Sequence, residues 1–194
     1  MPKHVGVPVK ENISPIYHLT GGDTGGSKPV IFRRKAYAYW CIEYILEGRG
    51  YLIVDNQSFQ ISEGDVYILP KGKDHEYGPD KHHPWRKLFV VLDGPLMEGL
   101  TKIYGIQKTY FFPQQRNIAH LFNKSINLIN NKNEHTITNV SLLIHEIITL
   151  LASQVKHQME EVKGLPAKTK RFLDGSLERP LRLDDLVKEF HCSK

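Results

Sequence analysis

The chain has 194 residues, 40% of them hydrophobic and 24% charged, with a formal charge of +5. This is the composition of a folded protein with room for one domain and a small second piece, and two cysteines as far apart as Cys41 and Cys192 argue against a disulfide framework. No run of roughly 20 apolar residues is present to cross a bilayer and residues 1–14 hold no signal-like apolar core, so the expected compartment is a reducing cytoplasm with no membrane partner.

Residues 1–29 read as an arm, because Gly21-Gly22 and Gly25-Gly26 argue against a long regular element; Ile13 to Leu19 is a candidate strand within it. Val30 to Arg34 and Ala38 to Leu46 read as strands. The second alternates Tyr39, Cys41, Glu43 and Ile45 with Trp40, Ile42, Tyr44 and Leu46, and the pattern leaves open which set faces inward. Tyr51 to Val54, Ser58 to Ile61 and Val66 to Leu69 follow, punctuated by Asp55-Asn56-Gln57, Ser62-Glu63-Gly64-Asp65 and Pro70. Short strands this evenly spaced predict an antiparallel sandwich or barrel. After a polar loop holding His82 and His83, Trp85 to Leu92 carries apolar residues on both faces, so both faces are expected to be covered, one by the helices that follow.

Helices are predicted over Pro95 to Tyr104, where Pro95 suits the first turn and Gly105 the end, and, from apolar residues at three-four spacing, over Ile118 to Ile129 and over Val140 to Val155. The last has a face so wide, with Leu142 and Leu150 extending it, that it needs two partners, either a neighbouring helix or a second subunit. Gln158 to Pro166 reads as a linker. Lys168 to Leu177 reads as a basic helical segment, and Leu183 to Phe190 as a helix with Asp184 and Asp185 in its first turn. The basic clusters Arg33-Arg34-Lys35 and Lys71 to Lys73 read as solvated surface charge.

Gly64, Pro70, Gly72 and His75 match the second motif of the cupins in type and spacing, although Gly78 and Pro79 stand where its closing Asn falls. The segment Leu181 to Ser193 resembles the first helix and turn of a helix-turn-helix in AraC-type transcription regulators, through Leu183, Leu186, Val187, Cys192 and Ser193. In that family a cupin-like sensor precedes two such units. The resemblance covers nearly the whole chain. It implies an α+β fold: an antiparallel cupin-like β-barrel (jelly roll), a helical pair and a short helical stub. The expected division is an arm and effector-binding barrel over 1–112, a helical dimerisation segment over 113–160, and a linker with the start of the DNA-binding domain over 161–194. The chain stops before a recognition helix, so a fragment of a longer regulator is expected, with DNA bound by the full-length protein and not by this chain alone.

A cupin metal centre needs about three His and one Glu. The strand Trp40 to Leu46 has no His, and His75 alone does not hold a metal, so neither metal nor cofactor is expected and the chain reads as non-enzymatic. The rival reading is a cupin enzyme such as a sugar isomerase or dioxygenase; a third is a barrel filled by its own side chains. Aromatic walls with a few polar groups suit a small sugar. Trp40, Tyr39, Tyr77 and Phe89 are candidate walls, and Arg33, Lys87, Glu43 and His75 candidate polar groups. By position in the AraC-type sensors, the pocket residues implied are Arg33, Tyr77, Lys87 and Phe89. The family's usual imidazole and indole are replaced here by Lys87 and Phe89, and Lys87 points to a sugar acid as one form of effector. The resemblance further implies an arm that folds over the pocket and a homodimer through the helices.

Overall fold

A computed structural model describes residues 14–25, 30–174 and 184. The helix expected over Leu183 to Phe190, and with it the helix-turn-helix stub, lies outside the described residues except for Asp184, as does most of the arm. The chain divides into two compact units, residues 1–152 and 153–194.

The first unit is a two-sheet sandwich with helices. Its strands are β1 (His18–Asp23), β2 (Phe32–Arg34), β3 (Trp40–Glu47), β4 (Arg49–Val54), β5 (Gln57–Ser62), β6 (Val66–Leu69), β7 (His75–Pro79), β8 (Arg86–Asp93) and β9 (Phe111–Phe112). One sheet has the order β1-β8-β3-β6-β9 and the other β2-β7-β4-β5, with every pair antiparallel. The two inner faces enclose a core that includes Ile45, Leu52, Val54, Ile61, Tyr67, Leu69 and Tyr77. The tight turn between β3 and β4 has Gly48 at φ +77°, and a Cβ there would run into the Pro84 carbonyl, so glycine is needed twice over.

Helix α1 (Pro95–Ile103) opens on Pro95. Helix α2 (Ala119–Asn130) packs on β1, β8 and β3. That packing accounts for the doubly apolar strands: Leu88, Val90, Leu92, Ile42 and Tyr44 form the outer face under the helices, with the Tyr44 ring tilted against Phe122 of α2 at 5.7 Å. The arm departs from expectation. The strand in it is β1, which begins later than Ile13 and includes Gly21 and Gly22 paired with Val90 and Phe89. A Cβ on Gly21 would stand 2.8 Å from the Phe89 carbonyl and 3.0 Å from Ile129 of α2. Gly21 thus permits close packing of a helix on a strand.

Helix α3 runs over Thr136–Asp174, entering the second unit. It continues through Gln158 to Pro166, where a linker was expected. Good helix formers on both sides (Glu160, Glu161 and Ala167, Lys168) carry it past Gly164 and Pro166, which by themselves disfavour a helix interior by about 1 and 3 kcal/mol. Within it, Thr136–His157 has a mean hydropathy of 1.4 and is long and apolar enough to cross a membrane, contrary to the reading from apolar runs alone. Val140, Leu143, Ile144, Ile147, Ile148 and Leu151 are buried within the first unit, as expected of a core helix.

Candidate functional site

The inner faces of β3, β6, β7 and β8 bring polar groups into the apolar interior. Tyr67 lies opposite Glu43 in the β3–β6 register, and Lys87 lies diagonal to Glu43 in the β3–β8 register. One face therefore holds an acid, a base and a phenol. Lys87 Nζ forms an ion pair with Glu43 Oε2, both side chains 5% exposed or less. The Tyr67 hydroxyl donates to the same oxygen, and Lys87 Nζ donates to the Tyr67 oxygen at 3.0 Å. The Cys41 thiol donates to Glu43 Oε1 at 3.3 Å. Aromatic faces surround the ammonium, with ring centroids of Tyr77 at 4.1 Å, Trp85 at 5.2 Å and Phe32 at 5.9 Å. Burial, followed by the nearby Glu43 charge, pushes the Tyr67, Tyr77 and Cys41 protons well above their ordinary ranges, so all three remain neutral donors.

Beside this network is a cavity of about 150 Å³, lined by Thr24, Phe32, Arg34, Tyr37, Cys41, Glu43, Leu69, Tyr77, Lys87, Phe89 and Val91. Of the residues singled out in the sequence, it brings together Glu43, Tyr77, Lys87 and Phe89. The strand whose inward face was undecided turns Cys41 and Glu43 inward. Tyr39 stands outside the lining, stacked on His18 at 4.5 Å and edge-on to Tyr37 at 5.8 Å. Arg33 is solvent-exposed and holds Glu76 at 2.7 Å, because β2 pairs with β7 so that Phe32 meets Tyr77 and Arg34 meets His75, which turns Arg33 outward with Glu76. Arg34 is the arginine at the cavity. A shift of one residue along a strand exchanges its faces, and the sequence carried no marker for which of two adjacent arginines points in. Arg34, Phe32, Tyr37 and Tyr67 were missed. The available signal was opposite charges on two strands otherwise apolar on both faces, which foretells a buried pair.

His75 is 5% exposed, and neither ring nitrogen reaches a hydrogen-bond partner, although the Lys73 backbone lies close enough to favour the charged ring slightly. Tyr37 meets it edge-on at 5.1 Å. Burial, then the Arg34 charge, lower its pKa below the ordinary 6.5. Among the described residues, no three His, Cys, Asp or Glu side chains cluster as metal ligands would.

A jelly-roll sandwich with a small polar cavity between its sheets defines a cupin-like binding domain. Residues 19–162 match the family described as AraC-like ligand binding domain, and the chain belongs to that family. It is 25% identical over 164 residues to the Msm operon regulatory protein of Streptococcus mutans serotype c, covering 80% of this chain and 59% of that protein. A 47-residue stretch, 24% of this chain, is 47% identical to part of an uncharacterised protein of Methanocaldococcus jannaschii, covering 36% of it. The chain thus spans about three fifths or less of the length of these relatives. In fold it is similar to apo ToxT of Vibrio cholerae, at a TM-score of 0.50 and 12% identity, covering 90% of this chain and 70% of that one.

Two outcomes test the network. Lys87→Met, which leaves Glu43 buried without its cation, is expected to destabilise the fold by about 3–5 kcal/mol in urea denaturation at pH 7, and a Glu43→Leu/Lys87→Met double variant to recover most of that loss. A His75 pKa lowered in the folded state means that the unfolded chain binds the extra proton first. Stability contributed by the neutral ring is present above the unfolded value near 6.5 and is lost as pH falls below it. Between pH 7 and pH 5 the wild-type chain is expected to lose more stability than His75→Phe; equal losses would remove His75 as the cause.

Proposed function

We propose that this chain is the effector-binding and dimerisation region of a bacterial AraC-type transcription regulator, acting in the cytoplasm and without catalytic activity of its own. The effector is a small carbohydrate-like molecule, and it governs sequence-specific DNA binding by the full-length protein. In this reading residues 1–112 form the arm and sensor barrel, 113–160 the helical dimerisation segment, and 161–194 the link to the DNA-binding unit. The observation that carries the reading is the cavity in which Glu43 and Lys87 meet aromatic walls. Sugars are recognised in this way, through hydroxyls that donate to a carboxylate and accept from an ammonium while their C–H faces lie on rings. At about 150 Å³ the cavity is below the roughly 300–1,000 Å³ of drug-sized sites, which favours a single sugar ring. Glu43 already neutralises Lys87, so the inner cavity favours an uncharged polyhydroxyl group over the acid that Lys87 by itself suggested.

Ligand coupling to DNA requires that the effector bind two arrangements of the regulator unequally. The helices are the candidate relay. The Tyr104 hydroxyl meets His145 at 2.9 Å and accepts from Thr149 at 2.9 Å, tying the end of α1 to α3. On either side of that contact, Ile103 and Leu142 are 78% and 64% exposed, which supports a helical face for a second copy.

Thermal melts with monosaccharides, disaccharides and uronic acids, beside zinc, nickel and manganese, test the effector class. A ligand at a hundredfold excess over its Kd stabilises by about 2.7 kcal/mol. The expected outcome is a raised Tm with one sugar class and none with metals; a response to metal alone would favour the rival enzyme. In sedimentation equilibrium the wild-type chain is expected to be dimeric and Leu142→Glu monomeric with its Tm at low protein concentration unchanged; a monomeric wild type would refute the helical dimer.

A further inference from the structure

Two hollows meet at one side chain. The inner cavity and a cleft of about 660 Å³ beside it both include Arg34, the one described residue that lines both. The cleft runs along β2 and β7 and the turn between β4 and β5. Most of its charges are matched: Arg33 holds Glu76, Lys73 holds Asp55 at 2.9 Å, and Asp74 accepts the Ala36 N–H at 2.8 Å. Arg34 and Lys35 meet no carboxylate among the described residues. The Arg34 guanidinium lies instead over Tyr37 at 4.8 Å and Phe32 at 5.5 Å. His75, which meets that same Tyr37 edge-on, lines the cleft and is 95% buried, and among the described residues neither ring nitrogen reaches a hydrogen-bond partner, the Lys73 backbone standing nearest. Buried polar atoms are nearly always hydrogen-bonded, so an imidazole with two unpaired nitrogens bordering an unneutralised guanidinium lacks a partner.

We propose that Arg34, with His75 behind it and Lys35 beside it, is an anion subsite at the mouth of the barrel, which binds a phosphate or carboxylate group of the effector while the effector's uncharged part enters the inner cavity. The guanidinium offers a planar fork to two oxygens of such a group. A ring N–H of His75 supplies a further donor, and the anion offsets the Arg34 charge that otherwise disfavours a protonated ring. Lys87 does not compete for the anion, because Glu43 holds it. The charges around His75 are Arg34, Glu43 and Asp74, and of these only Arg34 has no ion-pair or hydrogen-bond partner among the described residues. The effector class is therefore a polyhydroxylated small molecule with one anionic group, such as a sugar phosphate or sugar acid. The pairing with the inner cavity rests on the effector-pocket reading; the anion subsite does not.

The test uses the whole chain, ¹⁵N-labelled. Inorganic phosphate is titrated at pH 6.5 against sodium chloride of equal ionic strength and followed on the His75 ring and the Arg34 Nε–H. A saturable shift with phosphate is expected, with binding weakened about tenfold or more in Arg34→Gln, a surface change that leaves the core intact. Equal responses to phosphate and chloride, or an Arg34→Gln variant that titrates like wild type, would overturn the subsite. Calorimetry with glucose, glucose 6-phosphate and glucuronate, and with the galactose series, then tests the two-part effector. One anionic member is expected to bind about tenfold more tightly than its parent sugar in wild type and equally in Arg34→Gln. A phosphate response without any sugar binding would sink the carbohydrate reading and leave the subsite standing; sugar binding without a phosphate response would sink the subsite alone.

Discussion

The ion pair between Glu43 and Lys87 is the constraint on which the interior depends. Taking either charge out of water by itself costs several kcal/mol, and the pair survives there only because its remaining valences are filled. Tyr67 and Cys41 donate to the carboxylate, and the ring of Tyr77 faces the ammonium. Glu43, Tyr67 and Lys87 come from three different strands, so their network also fixes the relative register of β3, β6 and β8. A half-made network of this kind would be worse than an apolar core, which ties the polar cavity to the correct fold.

The second requirement is cover. The five-stranded sheet is apolar on both sides: its inner face turns toward the core and cavity, and its outer face toward α2. The close approach of Ile129 to Gly21 shows how tightly that layer is applied. The binding face and the helical face are therefore opposite sides of the same strands. A ligand that shifts Lys87 or Phe89 on β8 acts one residue away from Leu88 and Val90, on which the helix side rests. That proximity is the route by which the proposed pocket would act on the helical face.

Much of the fold was legible because its signals are local. Turn residues at Asp55-Asn56 and Gly64 punctuated the strands, and the three-four spacing of Leu121, Phe122, Ser125 and Ile129 marked α2 before any contact was known. Signals that depend on partners were misread. Gly21 and Gly22 read as a flexible arm because a sequence does not reveal the carbonyl and the helix that press against them. Gly164 and Pro166 read as a linker because each disfavours helix, whereas helix propensity is summed over the residues on either side.

The candidate site was half legible for the same reason. Residue type alone marked Glu43 and Lys87 as out of place on apolar strands, and aromatic content marked Tyr77 and Phe89. The choice between Arg33 and Arg34 was not available, since adjacent residues of a strand point to opposite faces and both are arginines. Nor was Tyr67, which meets Glu43 across 24 residues of chain. The sequence by itself determined an antiparallel sandwich followed by helices, because the periods of its apolar residues are properties of neighbouring positions. Only the tertiary structure decided which charges meet, which arginine guards the cavity and which glycines are packed, because those depend on strand register and on contacts between segments distant in the chain.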